Sequence, residues 1–423
     1  MKSWIESANR QECHFPLQNL PFGVAILEDG SACCVTAIGD KVLNLSLLEA
    51  EGLVCAADDK AVFDNNTIND FMALGPRAWQ QVRESLTGLL AIDGNPALKD
   101  NAGLLSRAIV SMQNVTMQMP FKVAEYTDFY SGRQHATNVG TMFRGAENAL
   151  PPNWLHIPIG YNGRASTVVV SGTLIRRPLG QLKPAKADAP YFGPSKRLDI
   201  ELEMGAVIGL PSNIGETLTV EEADAMIFGY VLLNDWSARD IQAWEYQPLG
   251  PFQAKAFATS ISPWVISKAA LELFRVSTPP RETPLLPYLS EPRPMLYDVK
   301  LQIQIQPLGA TTATVISETN YSTMYYSAAQ QLAHHASSGC KMNTGDLLGS
   351  GTISGIDKTT WGSLLEISWG GKEPMTLDTG ETRTFIEDGD TLALTGWAQG
   401  DGYRIGFGEC LGTVVPAIEP KSS

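Results

Sequence analysis

The chain has 423 residues, of which 44% are hydrophobic and 18% are charged, and this balance is typical of a globular protein. The formal net charge is −14 and no lysine- or arginine-rich run is present, which argues against nucleic acid and anionic membranes as partners. The 38 glycines and 26 prolines predict many turns and few long helices.

We expect a cytoplasmic protein. No segment reaches the ~18 consecutive apolar residues of a membrane-spanning helix, and residues 1–7 lack the apolar core of a secretory signal. The six cysteines form no C-x-x-C pair and are too few for a disulfide framework in a chain of this length. They therefore predict free, buried thiols in a reducing compartment.

The first part of the chain, residues 1–120, is predicted to be a small all-β unit followed by helices. Turn signals at Asp29-Gly30 and Gly39-Asp40 separate apolar runs and favour a meander or small barrel. The predicted strands cover 22–27, 33–38 and 41–48, and the predicted helices cover 76–83 and 96–111. Few groups here have obvious chemistry, so we interpret this part as a packing or dimerisation domain.

The second part, residues 121–423, shows strand after strand separated by glycine, proline, asparagine and aspartate. Two helices stand out, at 220–226 and at 327–338, the latter closed by Gly339. Strands with rare helices indicate an antiparallel or mixed β architecture rather than βαβ units. The clearest strand candidates are 168–174, 198–210, 227–234, 297–305, 313–316, 364–369 and 391–398.

An alternation of apolar and acidic residues in 198–204 predicts a strand with Asp199, Glu201 and Glu203 on one face. Residues i and i+2 lie about 7 Å apart along a strand, so two carboxylates there can converge on one cation. Hard cations such as Mg²⁺ and Ca²⁺ prefer such oxygen ligands. The alternative is a strand with one solvated face.

Another candidate site is the end of the apolar run 227–233, which delivers Asp235. A buried strand that ends in a carboxylate is a common way to build a site. The alternative is an N-cap, in which Asp235 or Ser237 begins a short helix through 241–244.

Histidine is the natural general base near neutral pH, and His135 lies in a segment rich in polar groups, 128–137. The alternative is a turn with a hydrogen-bonded histidine. His334 and His335 are adjacent and point in different directions on a helix, which favours structural roles. The glycine-rich segment 349–355 matches no nucleotide-binding loop and instead predicts a wall that a ligand can approach closely.

Taken together, these segments resemble the fumarylacetoacetate hydrolase family. The resemblance spans nearly the whole chain, and its long strings are far more specific than a single carboxylate pair. The resembling stretches are 19–24, 128–144, 152–156, 160–166, 234–242, 244–252, 350–355 and 400–408.

The resemblance implies a mainly β fold, in which a small N-terminal SH3-like β-barrel precedes a larger C-terminal mixed β-sandwich roll. It also implies a homodimer. The implied reaction is hydrolysis of the carbon–carbon bond of the β-diketo acid fumarylacetoacetate to fumarate and acetoacetate, the last step of tyrosine and phenylalanine catabolism.

The resemblance also implies a divalent cation, Mg²⁺ and/or Ca²⁺. Four carboxylates match the family's cation ligands, and without an ion they would repel one another strongly. Lys255, through its backbone oxygen, and Thr259 match positions near a second cation. The four carboxylate ligands are Asp128, Glu201, Glu203 and Asp235.

In the resemblance, His135 matches the general base that activates water, and Glu366 matches the carboxylate that orients it. Three side chains match the donors that stabilise the tetrahedral oxyanion, namely Arg239, Gln242 and Lys255. Substrate contacts are matched by Tyr130, Arg144, Tyr161, Gln242, Tyr246 and Thr352.

Two positions depart from the family pattern. Asn162 stands where Gly-Tyr-His-Gly-Arg-Ala-Ser has its histidine, and Ala258 stands where the family has glycine. If that position needs a positive φ, Ala258 is expected to be strained by roughly 1 kcal/mol or more.

The departures leave two alternatives to hydrolysis of fumarylacetoacetate. One is a paralogue that hydrolyses, decarboxylates or isomerises another diketo acid, because fold alone does not decide chemistry. The other is an inactive metal-binding or scaffold protein. Retention of His135, Glu366 and the three oxyanion donors favours the hydrolase.

Overall fold

The computed structural model describes residues 1–58 and 60–419. Residue 59 and residues 420–423, the last four of the predicted second domain, lie outside the described residues. The first part of the chain forms a five-stranded antiparallel sheet in the order β4-β3-β2-β1-β5. Its elements are β1 (Phe22–Ile26), β2 (Ala32–Ile38), β3 (Lys41–Asn44), α1 (Leu45–Ala50), α2 (Asn69–Met72), α3 (Pro76–Leu90), α4 (Ala102–Ala108), β4 (Ile109–Ser111) and β5 (Thr116–Gln118).

The glycine turns of this sheet are confirmed, because Gly30 and Gly39 adopt positive φ angles of 83° and 62°. The predicted third strand is too long, since the Asn44 side chain accepts a hydrogen bond from the Leu47 amide and begins α1. Pro76 opens α3 as expected, but the helix continues to Leu90. The helix predicted over 96–111 is wrong at both ends, because α4 covers only seven of these residues and β4 follows it.

The second part is mainly β, as expected, and contains two large sheets and several short ladders. Its strands are β6 (Tyr126–Phe129), β7 (Gly160–Asn162), β8 (Val168–Val170), β9 (Leu174–Arg176), β10 (Leu179–Leu182), β11 (Tyr191–Pro194), β12 (Leu198–Asp199), β13 (Leu202–Ile208), β14 (Ile227–Asp235), β15 (Ser237–Ala238), β16 (Thr259–Ile261), β17 (Ile266–Ser267), β18 (Arg275–Val276), β19 (Leu296–Tyr297), β20 (Lys300–Gln306), β21 (Thr314–Asn320), β22 (Leu347–Gly349), β23 (Met375–Thr376), β24 (Thr382–Arg383), β25 (Thr391–Gln399) and β26 (Arg404–Val415).

Helices are more frequent here than the sequence predicted. The two expected helices are confirmed, α6 with a capping box at Thr219 and α10 with one at Ser327. The longest helix of this part, α5, was not predicted. The helices are α5 (Arg133–Arg144), α6 (Val220–Met226), α7 (Arg239–Glu245), α8 (Gln253–Ala256), α9 (Lys268–Leu271), α10 (Ala328–Ala336) and α11 (Leu364–Ile367).

The larger sheet has the order β7-β6-β22-β13-β14-β16-β8, with β17 added to β14, and it contains both parallel and antiparallel pairs. The other sheet has the order β21-β20-β25-β26-β9. The two sheets pack face to face, so that Leu232 of β14 lies in one apolar cluster with Leu301 and Ile303 of β20. The opposite face of the larger sheet packs on the N-terminal part, where the Phe228 ring centroid lies 5.7 Å from that of Phe22.

This sandwiched position explains the sequence of β14. Every residue from Ile227 to Asp235 is buried, so the strand shows a continuous apolar run rather than alternation. Its last residue is a carboxylate that has no access to solvent, and such a group needs a partner in the protein or a cation. The centre of the fold therefore delivers Asp235 to a buried site.

Four strand predictions are corrected by the structure. The run 297–305 is interrupted at residues 298–299, between β19 and β20. The run 168–174 is split at Gly172, whose φ is 90°, and its halves β8 and β9 belong to different sheets. The run 198–210 is interrupted at residues 200–201, so Asp199 lies on β12 and Glu203 on β13. The run 364–369 is not a strand but the helical turn α11, which Ser363 caps.

All six cysteines lie in the described part of the chain and none forms a disulfide, as expected. Burial is confirmed for Cys33, Cys34 and Cys410, but Cys340 is exposed. Among the described residues, no helix combines the length and the apolar character that crossing a bilayer requires.

One buried carboxylate links two distant segments of the second part near the start of β6. Asp346 accepts hydrogen bonds from the Glu125 amide at 3.1 Å and the Asn343 amide at 2.8 Å. Burial raises the pKa of Asp346 to about 6, although these two donors oppose the shift. Because the folded pKa lies above the unfolded one, this group stabilises the fold fully below about pH 4, and the contribution is lost as the pH rises through about 6.

We expect wild type to lose roughly 2 kcal/mol of stability from this group between pH 4 and pH 7, whereas Asp346→Asn lacks the ionisation. The variant loses an amide–carboxylate contact at every pH, so the test is the pH dependence of the difference. Urea unfolding at both pH values measures it, and the advantage of wild type should shrink as the pH rises. An advantage that stays constant or grows contradicts the prediction.

Candidate active site

Four carboxylates converge where neighbouring strands of the larger sheet begin or end. Asp128 is on β6, Glu203 is on β13, and Asp235 is the last residue of β14. Glu201 is the residue directly before β13. One oxygen from each of the four lies within 4.8 Å of the others, and all four residues are buried. The solvated-face alternative for the acidic strand is therefore wrong.

The short strand β22 passes between β6 and β13 and has to leave room for this cluster. Gly349 pairs with Asp128 on one side and Gly205 on the other. A Cβ atom at Gly349 would lie 2.6 Å from Asp128 Oδ1 and 2.8 Å from Glu203 Oε2. The glycine-rich segment thus lies close to the carboxylates, and the expected approach of a ligand to it stays a prediction.

Two cationic side chains enter the cluster from α7 and α8. The Lys255 ammonium contacts the carboxylates of Glu201 and Asp235 directly. Arg239 NH1 lies 2.7 Å from Glu201 Oε1. The Thr259 hydroxyl donates to Asp235 Oδ1 at 3.3 Å, so this residue joins the site through a carboxylate.

The pKa values of the four carboxylates shift in different directions. Burial, followed by the neighbouring carboxylates, raises the pKa values of Asp128 and Glu203 well above their ordinary range. Burial also raises the pKa of Asp235, which Lys255 opposes. Burial would raise the pKa of Glu201 too, but Arg239 and Lys255 outweigh it and hold that pKa below its usual value.

These residues fit a hard divalent cation. In the described part of the chain, Asp128 Oδ1 and Glu203 Oε1 are buried and have no hydrogen-bond partner. Unpaired buried carboxylate oxygens are costly, and a cation with oxygen ligands satisfies them. The donor set contains oxygen atoms from all four carboxylates, which favours Mg²⁺ or Ca²⁺ over softer metals.

His135 lies beside this cluster on the first turn of α5. Its Nδ1 atom is 2.6 Å from Glu366 Oε2, and both residues are buried. Its Nε2 atom is 3.8 Å from Glu201 Oε1, which is too far for a direct hydrogen bond. The pair therefore places the proton on Nδ1 and turns Nε2 toward the carboxylates.

Three donors that were not predicted from the sequence hold Glu366. Asn138 donates to Oε1 at 2.8 Å, and the hydroxyls of Ser363 and Ser354 donate to Oε2 at 2.7 and 3.0 Å. Burial would raise the pKa of Glu366, but His135, Asn138 and Ser363 outweigh it and lower that pKa. Glu366 is thus kept ionised and fixed in one orientation.

Two signals in the sequence could have identified these donors. Asn138 follows His135 at i+3, so the two share a face once α5 is recognised as a helix. Ser363-Leu364-Leu365-Glu366 has the spacing of a capping box, and the Ser363 side chain accepts from the Glu366 amide in the structure.

The oxyanion donors expected from the resemblance lie together. Arg239 NH1 donates to Gln242 Oε1 at 3.3 Å, one turn along α7. Burial would lower the pKa of Arg239, but Glu201 and Asp199 outweigh it and raise that pKa. Burial would also lower the pKa of Lys255, but Asp235 and Glu201 outweigh it and raise that pKa. Both cations are therefore permanently charged.

The expected substrate-contact residues are placed less uniformly. The Tyr130 ring meets the His135 ring edge to face at 5.5 Å, and the Tyr161 hydroxyl donates to Asp235 Oδ2 at 3.2 Å. Thr352 is buried in the glycine-rich segment. Arg144 is exposed and donates to the carbonyls of residues 148 and 149, and Tyr246 is 43% exposed. The last two therefore lie at the periphery.

Comparison with known proteins places this architecture in a family. The model for the fumarylacetoacetate (FAA) hydrolase C-terminal region matches residues 125–415, and the model for the fumarylacetoacetase N-terminal region matches residues 18–120. The fumarylacetoacetase of Rattus norvegicus is 49% identical over 97% of this chain and 98% of its own. The chain belongs to the fumarylacetoacetate hydrolase family.

Members of this family from distant organisms show similar agreement. The fumarylacetoacetase of Arabidopsis thaliana is 46% identical over 99% of both chains. A solved fumarylacetoacetate hydrolase from the psychrophile Exiguobacterium antarcticum superimposes with a TM-score of 0.53 at 16% identity, covering 94% of this chain and 99% of that one. At that identity the superposition shows a shared fold.

The two departures from the family pattern are neutral in conformation. Ala258 is buried, and the non-glycine residues with positive φ in the described chain are Leu20 and Trp369, so the condition for strain at Ala258 is not met. Asn162 pairs through its backbone with Thr127 on β6 and is exposed.

The structure also bears on two further expectations, the N-cap at Asp235 or Ser237 and the structural roles of His334 and His335. Asp235 belongs to β14, and α7 begins after Ala238 with no side-chain cap, so neither Asp235 nor Ser237 is an N-cap. His334 and His335 bond separately to the hydroxyls of Tyr288 and Thr127 at 3.0 and 2.9 Å, which agrees with structural roles.

Proposed function

We propose that this chain hydrolyses the carbon–carbon bond of fumarylacetoacetate, giving fumarate and acetoacetate. The observation that carries the proposal is the buried His135–Glu366 pair beside the four-carboxylate cluster. A base fixed by a carboxylate is what a hydrolase needs to activate water, whereas a decarboxylase needs none. The high identity to fumarylacetoacetases over nearly the full chain supports this substrate.

In the proposed first step, His135 Nε2 takes a proton from a water molecule. The oxygen of that water attacks the carbonyl carbon at the fumaryl end. The Glu366 carboxylate accepts the Nδ1 hydrogen bond, which fixes the tautomer and stabilises the imidazolium that forms. No oxidant or reductant is involved, because the electron pair of the new bond comes from water.

Arg239, Gln242 and Lys255 are the proposed donors to the tetrahedral oxyanion. Arg239 NH2 is buried and has no hydrogen-bond partner within the described residues, so it is free for a substrate oxygen. When the oxyanion re-forms its carbonyl, the carbon–carbon bond breaks and acetoacetate leaves as its enolate, which takes the proton that His135 accepted from water, so that His135 is neutral again. A divalent cation bound at Asp128, Glu201, Glu203 and Asp235 supplies Lewis-acid stabilisation of the enolate charge.

Substrate binding is proposed to use the aromatic and polar residues around His135. Arg144 would bind a terminal carboxylate bidentately, once it releases the two backbone carbonyls that it now contacts. The other proposed contacts are Tyr130, Tyr161, Gln242, Tyr246 and Thr352.

We propose that the cation is Mg²⁺ or Ca²⁺. A second cation is proposed to lie near Thr259 and the backbone oxygen of Lys255. The protein is further proposed to be a cytoplasmic homodimer. The N-terminal unit, residues 1–120, is proposed to be an SH3-like barrel, and residues 121–423 a mixed β-sandwich roll. The five-stranded antiparallel sheet and the two packed sheets support this division.

The test is incubation of the Mg²⁺- or Ca²⁺-loaded protein with fumarylacetoacetate, followed by NMR of the products. We expect fumarate and acetoacetate in equal amounts. Release of CO₂ or an isomerised diketo acid would identify one of the alternative reactions. Absence of turnover with the cation bound would contradict the proposed substrate.

The Asn138 contact gives a second test of this mechanism. Asn138→Ala removes one charged hydrogen bond from Glu366, worth about 1.5–3 kcal/mol, and we expect kcat to fall about tenfold or more with little change in KM. Gln134→Ala is the matched control, because Gln134 reaches Glu366 only through Asn138 and should cost less than about threefold. A wild-type kcat for Asn138→Ala would show that Glu366 needs no such support.

A further inference from the structure

Asp199 is a buried carboxylate that the proposed reaction leaves without a role. It is the first acid of the alternating segment, but it is not one of the four carboxylates of the cation cluster. Oδ1 accepts from the Leu364 amide at 2.7 Å and from the Ile200 amide at 2.8 Å. Oδ2 accepts from the Leu365 amide at 2.9 Å and from Arg239 Nε at 2.8 Å.

These contacts join two pieces of the active site that are distant in sequence. The short ladder of β12 with β15 sets Asp199 opposite Ser237, two residues before Arg239. On the other side, the first turn of α11 presents amide groups that lack partners within the helix. The Asp199 carboxylate accepts hydrogen bonds from the amides of Leu364 and Leu365. The Ser363 hydroxyl accepts one from the Glu366 amide.

We propose that Asp199 is a positioning residue that sets the oxyanion donor Arg239 and the Glu366 turn with one carboxylate. This inference rests on the proposed function. Arg239 is held at Nε by Asp199 and at NH1 by Glu201, and NH2 alone is free for substrate. Glu366 in turn sets the His135 ring. One buried group thus fixes the distance between the base and the oxyanion donor.

The alternative is that Asp199 only stabilises the fold, as buried ion pairs often do. Asp224 supplies a matched control for that role. It is as deeply buried as Asp199, lies on α6, and pairs with Lys268, Arg275 and Arg293 rather than with any active-site group. A purely structural carboxylate and a positioning carboxylate should differ in kinetics when each becomes an amide.

The experiment compares Asp199→Asn with Asp224→Asn, both as full-length, cation-loaded protein, in turnover of fumarylacetoacetate. An amide has one acceptor oxygen and no charge, so Asp199→Asn can accept only part of the four hydrogen bonds and no longer forms an ion pair with Arg239. We expect kcat to fall about 10²-fold with KM changed less than about threefold, because small displacements of catalytic groups cost that much. Asp224→Asn should retain wild-type kcat.

A second variant and a second readout keep the test decisive. Asp199→Glu keeps the charge but adds a methylene, and it should lose kcat as well; it replaces Asp199→Asn if that variant does not fold. Combining Asp199→Asn with Arg239→Gln should cost less than the sum of the two separate losses, because part of the effect of Asp199 acts through Arg239. Fully additive losses would overturn the proposal.

The substrate-free readout is the Nδ1 proton resonance of His135, whose hydrogen bond to Glu366 measures 2.6 Å. It should shift or broaden in Asp199→Asn and stay in place in Asp224→Asn. If wild type does not turn over fumarylacetoacetate, the proposed function fails while this resonance still tests Asp199. An unchanged resonance, or wild-type kcat in both Asp199 variants, would refute the positioning role.

Discussion

Replacing His135 with alanine is expected to lower kcat for fumarylacetoacetate hydrolysis by at least about 10²-fold, because general-base catalysis contributes that much or more. The side chain is buried, its Nδ1 is bonded to Glu366, and its Nε2 faces the carboxylate cluster. His334 and His335 instead bond to the hydroxyls of Tyr288 and Thr127. Steady-state kinetics on the cation-loaded variant measure the loss.

His334→Ala is the matched control, because His334 lies on α10 and bonds to the Tyr288 hydroxyl outside the site. It should keep wild-type kcat. The cation affinity of His135→Ala should also stay near that of wild type, since His135 is not among the four carboxylate ligands. If His135→Ala retained full hydrolytic activity, the proposed mechanism of water activation would be wrong, and enolate chemistry without a base would become the better account.

The parts of the site that the sequence predicted are those encoded locally. Glu201 and Glu203 alternate with apolar residues, and Asp235 ends an apolar run, so each could be read from its own segment. Asp128 enters the same cluster through the parallel pairing of β6 with β22, which brings it beside Gly349, more than two hundred residues away. Such a contact has no signature in either segment, and the resemblance to the family supplied it.

The wrong secondary-structure predictions at α11 and α5 also have local causes. Leu364, Leu365 and Ile367 form a short apolar run, which periodicity alone does not assign to strand or helix. The Ser363 cap decides for a helix, and this choice matters because α11 carries Glu366 toward His135. In α5 the many polar residues obscured the helical pattern, so the turn expected at His135 proved to be the start of a twelve-residue helix.

Removing the divalent cation is expected to abolish turnover and to lower Tm. Four buried carboxylates then face two cationic side chains, Arg239 and Lys255, and the Lewis acid that stabilises the enolate, worth several kcal/mol, is lost. Binding of a cation at about 100 times its Kd should add about 2.7 kcal/mol to the free energy of unfolding. Dialysis against EDTA, followed by MgCl₂ or CaCl₂, measures turnover and Tm in each state.

Glu203→Gln tests whether the cation binds at the carboxylate cluster. The substitution removes one ligand charge and one carboxylate oxygen from a residue whose Oε1 has no partner within the described residues. Its cation affinity should fall at least about tenfold by calorimetry, since a ligand charge is lost. The exposed acid Glu216, changed to glutamine, should leave the affinity unchanged. Chelated protein with full turnover would exclude a catalytic cation. A cation that raised Tm without raising turnover would be structural, and enolate stabilisation would then fall to Lys255 and Arg239 alone.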